Sequence, residues 1–447
     1  MALEIVFGAA KAKATLLKRS LAETQDLPPA LKLKIREVFG RDLSLQEVVG
    51  RIVEDVRVRG DAALFDYAKR LDGVELDALE ISRDEIRRAR TEVSPELASA
   101  LALAGERIRG FHARCKRQSW VDFKEGGLGQ WIRPLATAGM YVPGGRASYP
   151  STVLMTAIPA RVAGVREIVV ASPAGVKGVS PATLVAAEIA EVDRVFAIGG
   201  AQAIAALAFG TESVPKVDKI CGPGNVFVQL AKRMVYGAVD IDGFYGPTET
   251  VIIADETADP AICAADLLAQ AEHDAMASAL LITTSAELAS AVDREVDRQM
   301  VGLSRKDIIA ASLKGSSGIA VVGDLQEAVD LVNGYAPEHL SLMVRDGWSC
   351  AEKVTNAGGI FIGETAPEVV GDYTAGPSHV MPTGGTASFG SPLSVEDFLK
   401  VTSVVAVDGK TLGGIGPAAA AIARAEGLDA HAQAVEIRLA KIPEGRA

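Results

Sequence analysis

Hydrophobic residues in the first quarter of the chain recur at three- and four-residue steps, the spacing of one face of an α-helix. The clearest examples are the segments LSLQEVVGRIVEDVRVRGDAALFDYAKRLDG and SPELASALALAGERIRGFHARCKR. Ser44, with Glu47 three residues later, predicts a capping box at the start of the first segment, and Ser94 predicts the start of the second. Residues 1 to about 125 are therefore predicted to be helical scaffold.

From Trp131 the pattern changes to short β-branched runs that alternate with helical stretches. Such alternation predicts parallel sheets with crossover helices. The predicted strands of a first block are GMYVP, EIVVAS, RVFAIGG and DKICGPGN, and those of a second block are TVIIAD, ALLITTS, GIAVVG, HLSLMV and GGIFIG. The two blocks meet near Gly246-Pro247.

The predicted fold class is α/β, with two Rossmann-like parallel-sheet domains and helical N-terminal and C-terminal extensions. Residues 1–37 form the N-terminal extension. The first α/β domain comprises 38–140 and 248–393, and the second comprises 141–247. The tail, 394–447, is too small to fold alone easily, so we expect it to pack on a neighbouring domain or on a partner subunit.

The composition narrows the class of protein. Of 447 residues, 49% are hydrophobic and 23% are charged, which is typical of a globular chain with two or three domains. The net charge of −11 disfavours nucleic-acid binding. We find no apolar run of about 18 residues that could span a membrane, and the first residues lack the order of a signal peptide. Four cysteines without a CxxC pair predict neither a disulfide framework nor a thiolate zinc site, and favour a cytoplasmic location.

Histidine is scarce, and its positions are uneven. His112 lies in an N-terminal helical segment and is predicted to be structural or at the surface. His273, His339, His379 and His431 lie in the C-terminal part of the chain, in unusual local settings. Each alone is more often a hydrogen-bonded bystander than a ligand, but four such residues with acidic neighbours suggest a polar site.

Gln270 and His273 stand three residues apart on a helix predicted from Pro260 to about His273, so both side chains could face one ion. Histidine is a common zinc ligand and glutamine an uncommon one. Spacing alone leaves the alternative open that Gln270 packs in the core and His273 caps the helix end.

Other polar residues are candidates for chemistry or for ordinary structural roles. Glu338 and His339 form an adjacent acid–imidazole couple, predicted at a strand edge or in the first turn of a helix. Asp372 is predicted in an irregular, exposed turn, where it is equally a candidate oxygen ligand or an Asx-turn residue. Glu426 and His431 flank a break in the last helical region, where helix capping is the default interpretation.

Three glycine turns could admit a pyrophosphate to a helix N-terminus. They are Gly144-Gly145, Gly199-Gly200 and the segment Gly222-Pro223-Gly224-Asn225. None is a GxGxxG motif, so the glycines alone argue only weakly for a dinucleotide.

Taken together, the motifs resemble histidinol dehydrogenases. The similarity extends from about residue 35 to the C-terminus, and the motifs occur in the order seen in that family. They are YVPGGRASYPSTVLMTAIPARVAGV, IGGAQAIAALAFGTESVPKVDKICGPGN, VIIADETADP with DLLAQAEHD, NGYAPEHL, GDYTAGPSHVMPTGGTASFGSPLSVEDF and EGLDAHAQAVEIRLA.

The resemblance implies a zinc- and NAD-dependent enzyme of histidine biosynthesis, which oxidises L-histidinol through the aldehyde to the acid with two NAD. It implies a homodimer with a shared active site, a metal site on the first α/β domain and NAD contacts on the second. The implied zinc ligands are Gln270, His273, Asp372 and the partner subunit's His431. The implied general bases are Glu338 and His339, the NAD contacts are Tyr141, Gln202 and Asn225, and the substrate contacts are Thr248, Glu426, His339 and the four zinc ligands.

Three departures from the family pattern lie near the implied pocket: Thr248 replaces a serine, residues 243–245 are bulkier than usual, and Ser378 stands where asparagine is common. They leave open a related zinc and NAD enzyme that acts on another small polar alcohol, such as a sulfonated diol. A zinc hydrolase is disfavoured because no HExxH motif occurs. A catalytically silent binding protein is disfavoured because every ligand and base position is filled.

Overall fold

The computed structural model of the protein describes residues 3–19, 29–124, 126–144 and 148–442. The chain divides into two compact units. The first unit comprises residues 1–115 and 136–398, and the second comprises 116–135 and 399–447.

The described residues contain both strands and helices, which are numbered here in chain order. The strands are β1 (Ile5–Phe7), β2 (Trp120–Asp122), β3 (Leu128–Pro134), β4 (Thr137–Tyr141), β5 (Glu167–Ala171), β6 (Arg194–Phe196), β7 (Lys219–Cys221), β8 (Asp240–Ile241), β9 (Glu249–Ala254), β10 (Ser278–Thr283), β11 (Gly318–Val321), β12 (His339–Met343), β13 (Gly359–Ile362) and β14 (Leu399–Val405). The α-helices are α1 (Ala9–Ala14), α2 (Pro29–Phe39), α3 (Leu45–Arg59), α4 (Asp61–Tyr67), α5 (Arg83–Ala89), α6 (Pro95–Arg114), α7 (Pro150–Ala163), α8 (Pro181–Ile189), α9 (Gly200–Phe209), α10 (Val226–Val235), α11 (Pro260–Ala271), α12 (Ala286–Met300), α13 (Lys306–Gly315), α14 (Leu325–Tyr335), α15 (Gly347–Ala351), α16 (Glu368–Tyr373), α17 (Gly409–Ala425) and α18 (Asp429–Leu439). A π-helical turn covers Ala68–Asp72, and 3₁₀ turns cover Thr386–Ser388 and Val395–Phe398.

The N-terminal helices form as the hydrophobic spacing predicts. The capping box of α3 is present, with the Ser44 hydroxyl accepting from the Glu47 N–H and the Glu47 carboxylate accepting from the Ser44 N–H. The apolar face of α3 packs into a core shared with α9 and α10, because its buried side chains, Val49 and Ile52 among them, recur one helical turn apart.

A five-stranded parallel sheet has the order β6-β5-β4-β7-β8. The chain adds β5 and β6 on one side of β4 and then β7 and β8 on the other, so the direction of winding switches between β4 and β7. A crevice opens outside the carboxyl ends of the strands at such a switch point. The strands of this sheet are nearly continuous apolar runs because helices cover both of its faces.

A six-stranded parallel sheet has the order β1-β11-β10-β9-β12-β13. Here the switch lies between β9 and β12. Every residue of β9, β10 and β12 is buried. These two sheets confirm the predicted α/β class.

The prediction that residues 1 to about 125 are all helical was wrong at Ile5–Phe7 and Trp120–Asp122, which are strands. Each strand is only three residues long, too short for alternating polarity to appear in the sequence. β4 also begins at Thr137, before the predicted domain limit at residue 141. The domain limits otherwise stay predictions.

The second unit combines an antiparallel sheet, ordered β14-β3-β2, with the helix pair α17 and α18. Small residues let the two helices approach closely, since a side-chain carbon on Gly416 would lie 3.1 Å from Val435. The predicted helical C-terminal extension therefore holds, except that β14 was not predicted. Its pairing partner β3 is far away in sequence, so no local pattern reveals it.

Two composition-based expectations can be compared with the structure. Each of the four cysteines carries a free thiol. Among the helices of the described ranges, none combines the length and apolar character needed to cross a bilayer.

Candidate functional site

Several candidate residues meet at the amino ends of β9 and β12. His339 is the first residue of β12 and pairs in register with Thr250 of β9, while Thr248 immediately precedes β9. Helix α11 runs back from the far end of β9, so Gln270, in its last turn, returns to the same edge. Ligands of open parallel sheets usually lie at the carboxyl ends, and that rule would not have selected this edge.

Gln270 and His273 occupy the end of α11 and the turn that follows. Asp259 caps the helix, which begins at Pro260 as predicted and ends at Ala271, two residues before the predicted end near His273. Gln270 is buried, and its Nε2 donates a hydrogen bond to the Thr248 hydroxyl at 3.1 Å. His273 is solvent-exposed.

The Glu338–His339 pair lies at a strand edge, as the sequence predicts. One carboxylate oxygen of Glu338, Oε2, accepts hydrogen bonds from the Thr248 hydroxyl at 2.5 Å and from the Glu249 N–H at 3.0 Å. The Nδ1 atom of His339 lies 3.7 Å from the same oxygen and 3.3 Å from the carbonyl oxygen of Glu249. The two neighbours in sequence therefore face each other, and both are buried.

Asp372 lies on the short helix α16, so the prediction of an exposed turn was wrong. Its side chain is only 14% exposed, and its Oδ1 is 3.5 Å from Nε2 of His339. The carbonyl oxygen of Asp372 also lies 2.9 Å from Nδ1 of His379. Nε2 of His379 is 3.4 Å from the Thr152 hydroxyl on α7, the helix that follows β4.

His379 received no role from the sequence, yet it links Asp372 to the domain of the five-stranded sheet. The glycine and proline that precede it, Gly376 and Pro377, were the available signal, since they force an irregular backbone. Gly376 has a φ of +122° and lies against Phe111, so a larger residue would not fit there.

Negative charge dominates the electrostatics of this site. Burial alone would lower the pKa of His339, but Glu338, Asp372 and Glu368 outweigh it and raise that pKa to about 10. Burial raises the pKa of Glu338, against the opposing effects of His339 and Thr248. Burial would also raise the pKa of Asp372, but contact with His339 brings it below its usual range. Such a cluster favours a bound cation.

A second layer of buried polar groups lies behind these residues. Glu368 accepts a hydrogen bond from the Thr250 hydroxyl at 2.5 Å, and burial raises its pKa to about 7. Burial raises the pKa of Asp266 to about 6. Among the described residues, Oδ2 of Asp266, Oγ of Ser341 and Nε2 of His339 have no hydrogen-bond partner. Ordered water commonly satisfies such groups.

Sequence reasoning missed this second layer, although a signal for it exists. Asp266 stands four residues before Gln270, and Glu368 stands four residues before Asp372. That spacing places each carboxylate on the same helix face as a candidate ligand, one turn deeper.

Tyr141, Gln202 and Asn225 lie at the carboxyl ends of strands in the five-stranded sheet. The Tyr141 hydroxyl accepts a hydrogen bond from the Gly200 N–H at 3.1 Å. Gln202, in the first turn of α9, donates to Asp72 at 3.3 Å, and Asn225 caps α10 by accepting from Phe227 at 3.0 Å.

Two of the predicted glycine turns flank Tyr141. Gly200 has a φ of +62°. A side-chain carbon on Gly222 would lie 2.1 Å from the Tyr141 carbonyl oxygen, so only glycine fits there. Gly144 is described, but Gly145 of the third turn lies outside the described residues. Tyr141 is the last residue of β4 and Asn225 follows β7, and these two strands form the switch point.

The three departures from the family pattern have structural roles. The Thr248 hydroxyl donates to Glu338, as a serine could. The ring of Tyr245 lies 5.2 Å from the Lys232 ammonium, in the domain of the five-stranded sheet. The Ser378 hydroxyl donates to the Met155 carbonyl at 3.0 Å. His112 is fully buried in α6, in line with a structural role.

Glu426 and His431 belong to the second unit, whereas the other candidate residues belong to the first. Glu426 occupies the C-cap position of α17, and His431 lies in the first turn of α18. Both side chains are exposed. Within the described residues, no group of three His, Cys, Asp or Glu side chains is arranged to hold a metal ion.

Comparison with known proteins gives a consistent result. A family model described as histidinol dehydrogenase matches residues 39–439. The histidinol dehydrogenase of Dehalococcoides mccartyi strain CBDB1 is 53% identical over 395 residues, covering 88% of this chain and 91% of that protein. That of Deinococcus radiodurans is 51% identical over 421 residues, covering 92% and 95%. A crystal structure of histidinol dehydrogenase from Elizabethkingia anophelis superposes with a TM-score of 0.91 at 35% identity, covering 98% of each chain.

Proposed function

This chain belongs to the histidinol dehydrogenase family, and we propose that it oxidises L-histidinol to L-histidine with two NAD. The observation that carries the proposal is the buried Glu338–His339 pair. Nε2 of His339 lies 3.5 Å from the Asp372 carboxylate, and Gln270 lies at the same edge of the sheet. A four-electron oxidation needs two proton acceptors in one pocket, and this edge supplies an imidazole and a carboxylate. The reaction is the closing step of histidine biosynthesis.

His339 is proposed to accept the hydroxyl proton in the first oxidation. Its Nε2 makes no hydrogen bond among the described residues and lies 3.5 Å from Asp372, a proposed zinc ligand, so the proton would be accepted beside the metal position. Its Nδ1 faces Glu338 and the Glu249 carbonyl, which fix the plane of the ring. A base must be neutral to act, and a cation next to Asp372 would favour the neutral imidazole by offsetting the nearby negative charge.

Glu338 is proposed to activate water for the second oxidation. Two donors hold one of its oxygens, Oε2, which fixes the orientation of the carboxylate. Burial raises its pKa and thereby makes it a stronger base than an exposed carboxylate.

The donor set fits zinc, with Gln270, His273 and Asp372 as the ligands from one subunit. Asp372 supplies a carboxylate whose pKa lies below its usual range, and His273 supplies an imidazole, a nitrogen ligand that zinc prefers. The carboxylate and the imidazole are common zinc ligands, whereas the amide of Gln270 is an uncommon one. Zinc would supply a Lewis acid that holds the amino alcohol beside the bases.

The crevice between β4 and β7 fits NAD. Tyr141 and Asn225 lie at the carboxyl ends of the switch-point strands, and Gly200 and Gly222 leave room for close backbone approach. Gln202 lies beside them on α9. The cofactor would accept hydride in both oxidations. The contact between His379 and Thr152 of α7 links this domain to Asp372.

We further propose a homodimer in which the partner subunit's His431 completes the zinc site and the partner subunit's Glu426 contacts the substrate. Support comes from the resemblance of the segment EGLDAHAQAV to the family motif and from the exposure of both side chains in one chain. The tail, 394–447, would then pack on the partner. Since substrate and metal contacts coincide in the family, Thr248 and the four ligands also line the substrate position.

NADH stoichiometry tests the function. Purified protein should form two NADH per L-histidinol, and a chelator should abolish turnover until zinc is restored. One NADH per turnover of another polar alcohol, such as a sulfonated diol, would favour the alternative substrate. No NADH with either substrate would refute the proposal.

Subunit complementation tests the shared site. His273→Ala and His431→Ala should each be inactive, but co-expressed chains should form mixed dimers with one intact site. Random pairing makes about half of the dimers mixed, so about a quarter of the wild-type activity should return. A mixture that stays inactive would show that His431 acts within its own chain, and an active His431→Ala variant would show that it is not a ligand.

A further inference from the structure

An arginine from the N-terminal extension contacts the backbone that holds the Glu338–His339 pair. Arg19 forms a fork with the carboxylate of Glu249, one arm being the Nη2–Oε2 contact at 2.9 Å. The same Nη2 donates to the carbonyl oxygen of Tyr335 at 2.7 Å, and the guanidinium lies 3.9 Å from the centre of the Tyr335 ring. One side chain thus joins the start of β9 to the end of α14.

Both of these segments lead directly to the pair. The Glu249 N–H donates to Glu338, and the Glu249 carbonyl faces His339. On the other side, Tyr335 ends α14, and only two residues separate it from Glu338. A shift of either segment would move the base groups with it.

The segment after α14 also needs external support. Ala336 has a φ of +50°, which non-glycine residues rarely adopt. Such a conformation persists only where the surroundings fix it. Nη2 of Arg19 approaches the Ala336 carbonyl at 3.4 Å in addition to that of Tyr335, so it holds both sides of this residue.

We propose that Arg19 is a positioning residue for the Glu338–His339 pair. The inference rests on the proposed function, because the pair matters only if it acts as the base couple. The N-terminal extension is then part of the catalytic framework. Arginine suits this role because its planar fork can bind a carboxylate in two places and still reach a carbonyl, which a lysine ammonium cannot do in the same geometry.

The test compares Arg19→Gln with Lys18→Gln, a matched control that removes the same charge from the neighbouring exposed residue. Arg19→Gln should lower kcat for both oxidations about ten- to a hundredfold, because small misplacement of catalytic groups has effects of that size. KM for histidinol and for NAD should stay within about threefold, since neither ligand touches Arg19 in the proposal. Lys18→Gln should keep the wild-type kcat.

A conservative variant keeps the inference testable if Arg19→Gln folds poorly, and a double variant tests whether Arg19 and Glu249 act through one contact. Arg19→Lys keeps the charge and should restore part of the lost kcat but not all of it. Glu249→Gln combined with Arg19→Gln should be no slower than the more damaging single variant, because both changes break one contact. An unchanged kcat in Arg19→Gln, or additive losses in the double variant, would overturn the proposal.

Amide hydrogen exchange gives a readout that does not depend on turnover. Exchange in peptides covering 245–250 and 335–340 should be faster in Arg19→Gln than in Lys18→Gln, with the rest of the first unit unchanged. If the wild-type protein fails to oxidise histidinol, the proposed function fails, while this measurement still decides whether Arg19 holds the two segments. Equal exchange in the two variants would show that Arg19 does not hold the two segments.

Discussion

The Thr248 hydroxyl joins the proposed second base to a proposed zinc ligand, and its removal is the most direct test of the site. It donates to Oε2 of Glu338 at 2.5 Å and accepts from Nε2 of Gln270 at 3.1 Å. Thr248→Val keeps the shape of the side chain but removes both hydrogen bonds. Thr248→Ser keeps the hydroxyl and serves as the control.

The magnitude follows from what Glu338 retains. Two donors hold its Oε2, and the variant leaves only the Glu249 N–H. A hydrogen bond to a charged group contributes about 1.5–3 kcal/mol. If that energy is lost in the step that uses Glu338, aldehyde oxidation should slow by roughly ten- to a hundredfold. The hydroxyl also lowers the pKa of Glu338, so its loss should raise that pKa and move the activity of this step toward higher pH.

Single-turnover measurement separates the two oxidations. Thr248→Val should form the first NADH at a nearly normal rate and the second slowly, whereas Thr248→Ser should behave like the wild-type protein. The reasoning would be refuted if valine and serine variants formed the second NADH equally fast. It would also be refuted if the only change were a higher KM for histidinol, because Thr248 would then act as a substrate contact alone.

Three other predictions follow from the same structure. His339→Ala should block formation of the first NADH, whereas Glu338→Ala should mainly slow the second; equal loss of both steps in Glu338→Ala would contradict the assigned roles. Lys232→Met should destabilise the fold by about 3–5 kcal/mol in urea titrations, because it leaves the fully buried carboxylate of Asp242 without its cation; an unchanged midpoint would show that the ion pair is not needed. The stability of His112→Leu should be less sensitive to acid than that of the wild type. Burial lowers the pKa of His112 from 6.5 to about 4, so the unfolded chain takes up the proton first and wild-type stability falls between these pH values by up to about 3 kcal/mol. Parallel acid titrations of the two proteins would disprove this.

The parallel sheets could be predicted because their strands are buried on both faces. Strands such as β5 and β9 are continuous apolar runs, and helical periodicity separates them. β1 and β14 lack that signature. β1 is three residues long and joins the edge of the sheet through β11, and most residues of β14 are exposed. Their existence depends on distant partners, which a local pattern does not contain.

The site shows the same division between local and distant information. The Glu338–His339 couple could be predicted because the residues are adjacent in sequence. The approach of Asp372 to His339 depends on the path of the chain through α16, and the sequence alone suggested an exposed turn instead. Arg19 could not have been found by any motif, because its partners lie far along the chain and include a backbone carbonyl.

The two proposed ligand sites lie at opposite ends of their sheets, and helix dipoles give a reason. In a parallel sheet with crossover helices, helix N-termini collect at the carboxyl ends of the strands and helix C-termini collect at the amino ends. Helix N-termini carry partial positive charge, which suits the pyrophosphate of NAD at the starts of α9 and α10. Helix C-termini carry partial negative charge, and α11 and α14 both end beside the carboxylates that surround His339. The edge that departs from the usual rule is thus the edge whose backbone favours a cation, so a metal and an amine-bearing alcohol are better suited to it than a phosphate.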